Sequence, residues 1–267
     1  MKKPHYFTIP PPGSTESVRE EHNRMASKSV FRQALQDAVE QRHSKIHPFS
    51  DAWVSGGLNR DILGEWVKQH YHYVSHFPQW CGSIYAHSDD EVANHFLVEN
   101  MMEEEGFVGE GGFPPAKHVE LLLDFAEACG KSRQEIKDAQ KNGELMAGLL
   151  GLQSWCTVQS TKPTHMAIAG LLVGLESQVP QIYKRTTPPL VEKYGFTEDE
   201  IVFFRLHIVA DTEHGQRGYD LVERLADSEE KREACLRAVR EATLMRRLYL
   251  DALYNEYVAP RLETATV

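Results

Sequence analysis

The segment HIVADTEHG, at residues 207–215, contains three residues that can bind metal or move protons, His207, Asp211 and His214. They are spaced four and then three residues apart, so on a helix they share one face. Imidazole and carboxylate groups are common ligands of iron, manganese and zinc. The spacing by itself is compatible with a polar surface stripe, with half of a metal site, or with a pocket that works without metal.

Two more residues of the same chemical type are in phase with apolar residues. Glu176 follows Leu172 on one face of a stretch that has almost no other charge before Lys184. His118 is in phase with Leu122 on an apolar face. A buried unpaired charge costs several kcal/mol, so such residues indicate either a paired core group or a functional site. For Glu176 the structural alternative is a buried ion pair with an arginine or lysine.

A run of three acids, Glu103, Glu104 and Glu105, closes the helix that precedes Gly106. Most such runs are solvated helix ends. Glu104 follows Ala93 and Leu97 on one stripe and is the preferred inward residue, while Glu103 and Glu105 stay open as alternatives.

Together these residues form a set of three carboxylates and three histidines from four predicted helices, which suits two iron or manganese ions. The set is Glu104, His118, Glu176, His207, Asp211 and His214. None of the three histidines of this set follows a glutamate at the Glu-x-x-His spacing, which disfavours a ferritin-like arrangement. His72 and His76, four residues apart in HYHYVSH, are a competing zinc site, although their aromatic surroundings favour a pocket wall or core.

The elements that position these residues are predicted to be helices. Apolar periodicity is helical nearly throughout from Ser27 onward, and no strand-type alternation persists. We predict an all-α bundle of about seven or eight helices. Residues 164–184 are expected to form one buried central helix, and residues 61–88 a long helix with a kink at Pro78.

Composition restricts the function further. The formal net charge of −10 and the lack of a long basic run argue against nucleic-acid binding. The 4 cysteines form no CxxC pair, which favours a reducing, cytoplasmic location. No apolar stretch is long enough to predict a membrane span. Residues 1–26 are expected to be a flexible or strap-like segment, and residues 27–267 a single catalytic domain.

Five segments carry a family resemblance, namely HPFSDAWVSGGL, HFPQW, HVELLLDFAEACG, LESQVPQIY and DTEHG. Through them the chain resembles the superfamily of pyrroloquinoline-quinone synthase (PqqC) and thiaminase II (TenA), which has the heme-oxygenase-like helical fold. One branch of that superfamily comprises di-iron oxidases and oxygenases and uses the pattern HxxxDxxH. His207, Asp211 and His214 match this pattern without a gap.

The resemblance to the di-iron branch implies a dioxygen-dependent enzyme with two iron ions, or a manganese–iron pair. The implied metal ligands are the six residues of the set above. The implied substrate is a small amino-acid-like or aromatic acid in a biosynthetic pathway, with an external reductant as a further partner and a homodimer as the assembly. Tyr183 and Lys184, just beyond Glu176, are the candidates to contact the substrate or the surroundings of the metals.

Three alternatives remain at this point. The first is a metal-free PqqC-like oxidase of an acidic quinol, in which Glu176, His214 and a basic residue such as Arg205 or Arg217 hold the substrate. The second is a para-aminobenzoate synthase of the CADD type. The third is a non-catalytic scaffold for protein interactions.

Overall fold

The computed structural model describes residues 30–264, and this part of the chain is helical without any β-strand. The predicted segment 1–26 lies outside the described residues. The α-helices are α1 (30–40), α2 (Pro48–Ser55), α3 (Arg60–Val74), α4 (Phe77–Ala86), α5 (Glu91–Glu104), α6 (His118–Ala128), α7 (Arg133–Asp138), α8 (Ala147–Ser160), α9 (Thr164–Ile168), α10 (Val179–Glu192), α11 (Val202–Leu225), α12 (Glu229–Tyr257) and α13 (Ala259–Thr264). The all-α prediction is confirmed, with several short helices beside the long ones.

One hydrophobic core connects these helices, and it includes residues from Phe31 to Val258. Helix α12 packs along α8, α10 packs along α11, and α3 packs along α6. Burial of this apolar surface is the main force that holds the bundle together. Within the described residues, no helix is both long and apolar enough to cross a membrane.

Two prolines divide helices that the periodicity predicts as continuous. Helix α3 ends at Val74, four residues before Pro78, and Pro78 lies in the first turn of α4. The proline ring clashes with the carbonyl group four residues earlier, but it is tolerated in the first turn of a new helix. The predicted kinked helix is therefore a pair of helices, α3 and α4.

Pro180 has the same effect on the predicted helix at residues 164–184. Between α9 and α10 the chain forms a π-helical segment, Ala169–Val173, and a 3₁₀ turn, Glu176–Gln178. The carbonyl of Glu176 lies four residues before Pro180 and cannot accept the usual backbone hydrogen bond. The prediction of one regular helix is thus wrong, and Glu176 lies at the irregular point. Such interruptions occur frequently at functional sites.

Candidate metal centre

Helix α11 brings one buried face to the centre of the bundle. His207, Asp211 and His214 are 7%, 5% and 8% exposed, so the predicted stripe faces inward. The Nδ1 atom of His207 lies 2.6 Å from the carbonyl oxygen of Phe203. That contact requires a proton on Nδ1 and leaves the lone pair of Nε2 available to bind a metal.

The end of α5 meets the start of α6 through a tight backbone contact at Gly106. This glycine has φ +73°, and a Cβ atom there would lie 2.5 Å from the backbone nitrogen of Lys117. Only glycine combines this backbone conformation with so close an approach. The contact holds the last turn of α5, with Glu104, beside His118 in the first turn of α6.

The first candidate ligand group consists of Glu104, His118 and His207, whose ligand atoms all lie within 4.8 Å of one another. Oε2 of Glu104 is 3.0 Å from Nδ1 of His118. The imidazole rings of His118 and His207 have their centres 4.6 Å apart. Three different helices, α5, α6 and α11, therefore converge on this point.

The second candidate group consists of Glu176, Asp211 and His214, again within 4.8 Å of one another. Nδ1 of His214 lies 3.4 Å from Glu176 Oε1 and 3.7 Å from Asp211 Oδ1. Glu176 reaches this point from the 3₁₀ turn, and the other two residues reach it from α11. The six predicted ligands thus fall into two groups of three.

Two further carboxylates lie between these groups. Glu110, from the loop between α5 and α6, has Oε1 2.6 Å from His118 Nε2 and Oε2 3.8 Å from His214 Nε2. Oε2 of Glu103 is 2.9 Å from the same His214 nitrogen. Glu105 pairs instead with Lys117 near the surface. Of the acidic run, Glu103 and Glu104 therefore face inward, while Glu105 does not.

Burial and the close spacing of charged groups shift the pKa values of the residues in this cluster. Burial lowers the pKa of His118, but Glu104 and Glu110 outweigh it and raise the pKa to about 10. The pKa of His214 is also raised, because Asp211, Glu103 and Glu176 overcome the effect of burial. Burial raises the pKa values of Glu176 and Asp211. Without a metal, protons on the imidazoles are the cations that balance these carboxylates.

The hydrogen bonding of the cluster fits a metal cofactor. Two buried carboxylate oxygens of the cluster, Glu176 Oε2 and Asp211 Oδ2, have neither a hydrogen-bond partner nor an ion-pair partner within the described residues, although buried polar atoms are normally paired. Imidazoles and carboxylates without any thiolate are a donor set that suits iron or manganese.

Comparison with known proteins agrees with this chemistry. The family described as "Iron-containing redox enzyme" matches residues 64–247. The chain belongs to this family of iron-containing redox enzymes. It is therefore an oxidoreductase, and catalysis is favoured over the non-catalytic scaffold considered above.

Curated relatives of this iron-containing redox enzyme include 4-aminobenzoate synthases and pyrroloquinoline-quinone synthases. The 4-aminobenzoate synthase of Chlamydia muridarum is 29% identical over 223 residues, which cover 83% of this chain and 89% of the relative. The pyrroloquinoline-quinone synthase of Rhizobium meliloti is 26% identical over 234 residues, covering 87% and 88%. The predicted resemblance to CADD and PqqC is confirmed.

Solved structures confirm the fold. A TenA homologue from Pseudomonas syringae pv. tomato superposes with a TM-score of 0.70 at 14% identity, covering 84% of this chain and 92% of that one. A CADD-like protein of unknown function from Nostoc punctiforme superposes with a TM-score of 0.69 at 13% identity, covering 88% and 100%. At these identities the similarity concerns the fold of the iron-containing redox enzyme alone.

The two predicted catalytic residues lie at different pockets. Tyr183 is buried, its hydroxyl is 3.3 Å from Nε2 of His70, and it lines a pocket of about 40 Å³ beside His207 and Asp211. We call this the inner pocket. Lys184 is exposed and lines a wider groove of about 420 Å³ that also reaches Asp211. We call this the outer groove. Neighbouring residues of a helix point about 100° apart, so the two side chains diverge.

The structure does not assemble the competing zinc site. His72 Nε2 lies 2.9 Å from the carbonyl oxygen of Ile136, and His76 Nδ1 lies 2.7 Å from the carbonyl oxygen of His72. In the part of the chain that the structure describes, no group of three metal-ligand residues includes either histidine. Both imidazoles instead satisfy backbone carbonyl groups.

The two arginines that the metal-free alternative would use to bind substrate form ion pairs with glutamates instead. Arg205 pairs with Glu198 at 2.9 Å, and Arg217 pairs with Glu99 and covers the ring of Phe96. Neither arginine lines the inner pocket.

Sequence reasoning missed Glu110, because a loop has no periodicity from which to read an inner face. The available signal was a single acid among glycines in FVGEGGFPP. A Cβ atom on Gly109 would lie 2.3 Å from the carbonyl oxygen of Phe113, and one on Gly111 would lie 2.9 Å from a methyl carbon of Val209. These glycines let the loop fold against α11 and bury Glu110, which is 9% exposed.

Glu110→Gln is expected to weaken metal binding about 10- to 100-fold, the range for partners that orient metal ligands. The change preserves the size of the side chain but removes a negative charge that faces both His118 and His214. Anaerobic titration with Mn(II) measures the effect. Glu105→Gln is the matched control, because Glu105 pairs with Lys117 outside the cluster. Equal metal affinity of the two variants would contradict a role for Glu110.

Proposed function

We propose that this iron-containing redox enzyme is a non-heme di-iron oxidase or oxygenase that uses dioxygen to oxidise a small organic acid. The observation that carries the proposal is the convergence of six ligand-type residues, five buried and Glu104 partly buried, in two groups of three. One ion would be held by Glu104, His118 and His207, and the other by Glu176, Asp211 and His214. Glu103 and Glu110, which face His214 from the other side, are additional carboxylates available to either ion.

When bound, the iron ions would supply the electrons and the Lewis acidity that reduce dioxygen and make it reactive toward a C–H or N–H bond. The chain supplies the position of the ligands and a mostly apolar pocket. His207 is oriented by its contact with the Phe203 carbonyl, which keeps Nε2 unprotonated and directed away from that carbonyl.

Tyr183 is the chain's own group best placed to act beside the substrate. Its ring centre is 6.1 Å from that of His207, and its hydroxyl can donate to Nε2 of His70. Burial raises the pKa of Tyr183, which keeps its hydroxyl protonated. In this proposal Tyr183 holds a proton at its hydroxyl oxygen near the reacting atoms. Lys184 instead contacts molecules that enter along the outer groove.

The electrons must balance in either version of the reaction. An oxygenase transfers one oxygen atom of dioxygen to the substrate, and the other leaves as water with two electrons and two protons from an external reductant. An oxidase takes its electrons from the substrate. The homodimer, the cytoplasmic location and a manganese–iron pair in place of two irons stay predictions.

A second candidate function is the synthesis of 4-aminobenzoate. It is favoured by the Chlamydia muridarum relative of that name, which matches across 83% of this chain. Both candidates use the same proposed metal centre and differ in their product.

The test is anaerobic reconstitution with Fe(II), followed by metal analysis and addition of dioxygen with a reductant. We expect two iron ions per chain and a change in absorbance that depends on dioxygen. A failure to bind iron would overturn the di-iron proposal. Mass spectrometry of the mixture then separates the candidates, since the appearance of 4-aminobenzoate would identify the second one.

A further inference from the structure

One buried cation, Arg246, has no anionic partner among the described residues. Arg246 of α12 is 6% exposed, and its Nε atom has no hydrogen-bond partner in the part of the chain that the structure describes. No carboxylate of residues 30–264 forms an ion pair with its guanidinium group. Its guanidinium group makes a cation–π contact with Tyr73, with Cζ of Arg246 5.7 Å from the centre of the ring.

The groups around Arg246 do not compensate its charge. Burial, aided by nearby Lys45, lowers the pKa of His43 to about 4, and burial places the pKa of His70 well below its usual value. Burial raises the pKa values of Tyr73 and Tyr249. At neutral pH these side chains are uncharged. A cation–π contact offsets only part of the cost of burying a charge, so a buried arginine normally has an acidic partner.

Arg246 lines the inner pocket together with four of the proposed metal ligands. These are Glu104, Glu176, His207 and Asp211. The pocket is also lined by apolar side chains such as Phe77. Its volume of about 40 Å³ corresponds to a few water molecules, enough for a carboxylate group of a ligand.

We propose that Arg246 binds the carboxylate of the substrate in the inner pocket and thereby determines the specificity of the enzyme for small organic acids. A guanidinium group matches a carboxylate with two parallel hydrogen bonds, which fixes orientation as well as charge. The bound carboxylate supplies the missing anion, in the same pocket that His207 and Asp211 line. This assignment rests on the proposed function for its reaction, although the binding itself does not require iron.

The test uses simple carboxylates and their neutral amides as probes. Acetate, hexanoate and benzoate are each compared with the corresponding amide, by calorimetry and thermal shift, on metal-free and on anaerobic Fe(II)-loaded protein. We expect at least one acid to bind the wild-type protein at least tenfold more tightly than its amide, in both forms. Arg246→Gln should abolish that preference, and Arg246→Lys should retain part of it, because lysine keeps the charge but not the paired donors.

Arg240→Gln is the matched control, since Arg240 is an exposed arginine of the same helix. It should bind the acids as the wild-type protein does. The inference is overturned if no acid is preferred over its amide, or if Arg246→Gln keeps the preference. If Arg246→Gln does not fold, Arg246→Lys still decides, since unchanged affinity and selectivity in that variant would contradict paired recognition. Metal analysis of the same samples tests the di-iron proposal separately, because acid binding to metal-free protein does not depend on it.

Discussion

His207→Ala is expected to remove one of the two iron ions and to lower the dioxygen-dependent activity by at least about 100-fold. His207 is the α11 residue of the first ligand group, while Asp211 and His214 belong to the second. Removal of its imidazole leaves Glu104 and His118 as the remaining ligands of that group. We expect metal analysis after anaerobic reconstitution to fall from two iron ions per chain to about one.

The matched control for this substitution is His76→Ala. His76 is a partly buried histidine that contacts the carbonyl of His72 and, in the part of the chain that the structure describes, no carboxylate. It should keep both iron ions and full activity. Because alanine leaves a cavity beside Phe203, circular dichroism must show that His207→Ala is folded, and His207→Gln serves as a second variant. Two iron ions in the folded variants would show that His207 is not a ligand.

Metal binding is expected to stabilise the folded protein strongly. A ligand that binds only the native state contributes about 4 kcal/mol at a thousand times its Kd, which is about 8–16 °C in Tm for a chain of this size. The physical reason is the buried acidic cluster, where carboxylate oxygens of Glu176 and Asp211 have no hydrogen-bond partner among residues 30–264. Thermal unfolding under anaerobic conditions with Fe(II) or Mn(II) measures the shift.

The affinity of the protein for Mn(II) should increase as the pH rises. In metal-free protein the pKa of His118 is about 10, because Glu104 and Glu110 outweigh the effect of burial. His118 must lose its proton to bind a metal, so protons compete with the metal below that pKa. The affinity for Mn(II) should rise from pH 6 to pH 8, by about tenfold per pH unit for each proton released.

Mg(II) is the control cation, since it prefers oxygen ligands and water over imidazole. It should produce a much smaller increase in Tm than Mn(II). An affinity for Mn(II) that does not change between pH 6 and pH 8 would contradict the ligation of His118. Equal stabilisation by Mg(II) and Mn(II) would indicate a carboxylate site without histidine.

Periodicity and residue chemistry are sufficient to predict the fold class and much of the candidate site. The all-α class and the inward face of α11 follow from spacing, because a regular helix repeats every 3.6 residues. The same rule identified Glu176 and His118, since each interrupts an apolar stripe that has to be buried. Helix formation and the choice of the buried face depend mainly on residues close in sequence, so helical periodicity predicts both.

Only the tertiary structure could divide the six predicted ligands between two groups. His207 and His214 share a face of α11, but they are two turns apart, about 10 Å along the axis, and meet different partners. Their partners come from α5, α6 and the 3₁₀ turn, which are distant in the chain. The segment just before Glu176 also packs closely on α12, since a Cβ atom on Gly174 would lie 2.5 Å from Cβ of Ala242.

Glu110 and Arg246 are the two residues of the candidate site whose positions could not be predicted from the sequence. Glu110 lies in a loop, and Arg246 is one of two adjacent arginines in α12, of which Arg246 is buried and Arg247 is partly exposed. The sequence by itself determined the fold class, the α11 stripe and the chemical type of the site. Which loop carboxylate enters the cluster, and which arginine faces the pocket, was decided by the tertiary structure, because burial depends on what packs against a side chain rather than on its neighbours in the chain.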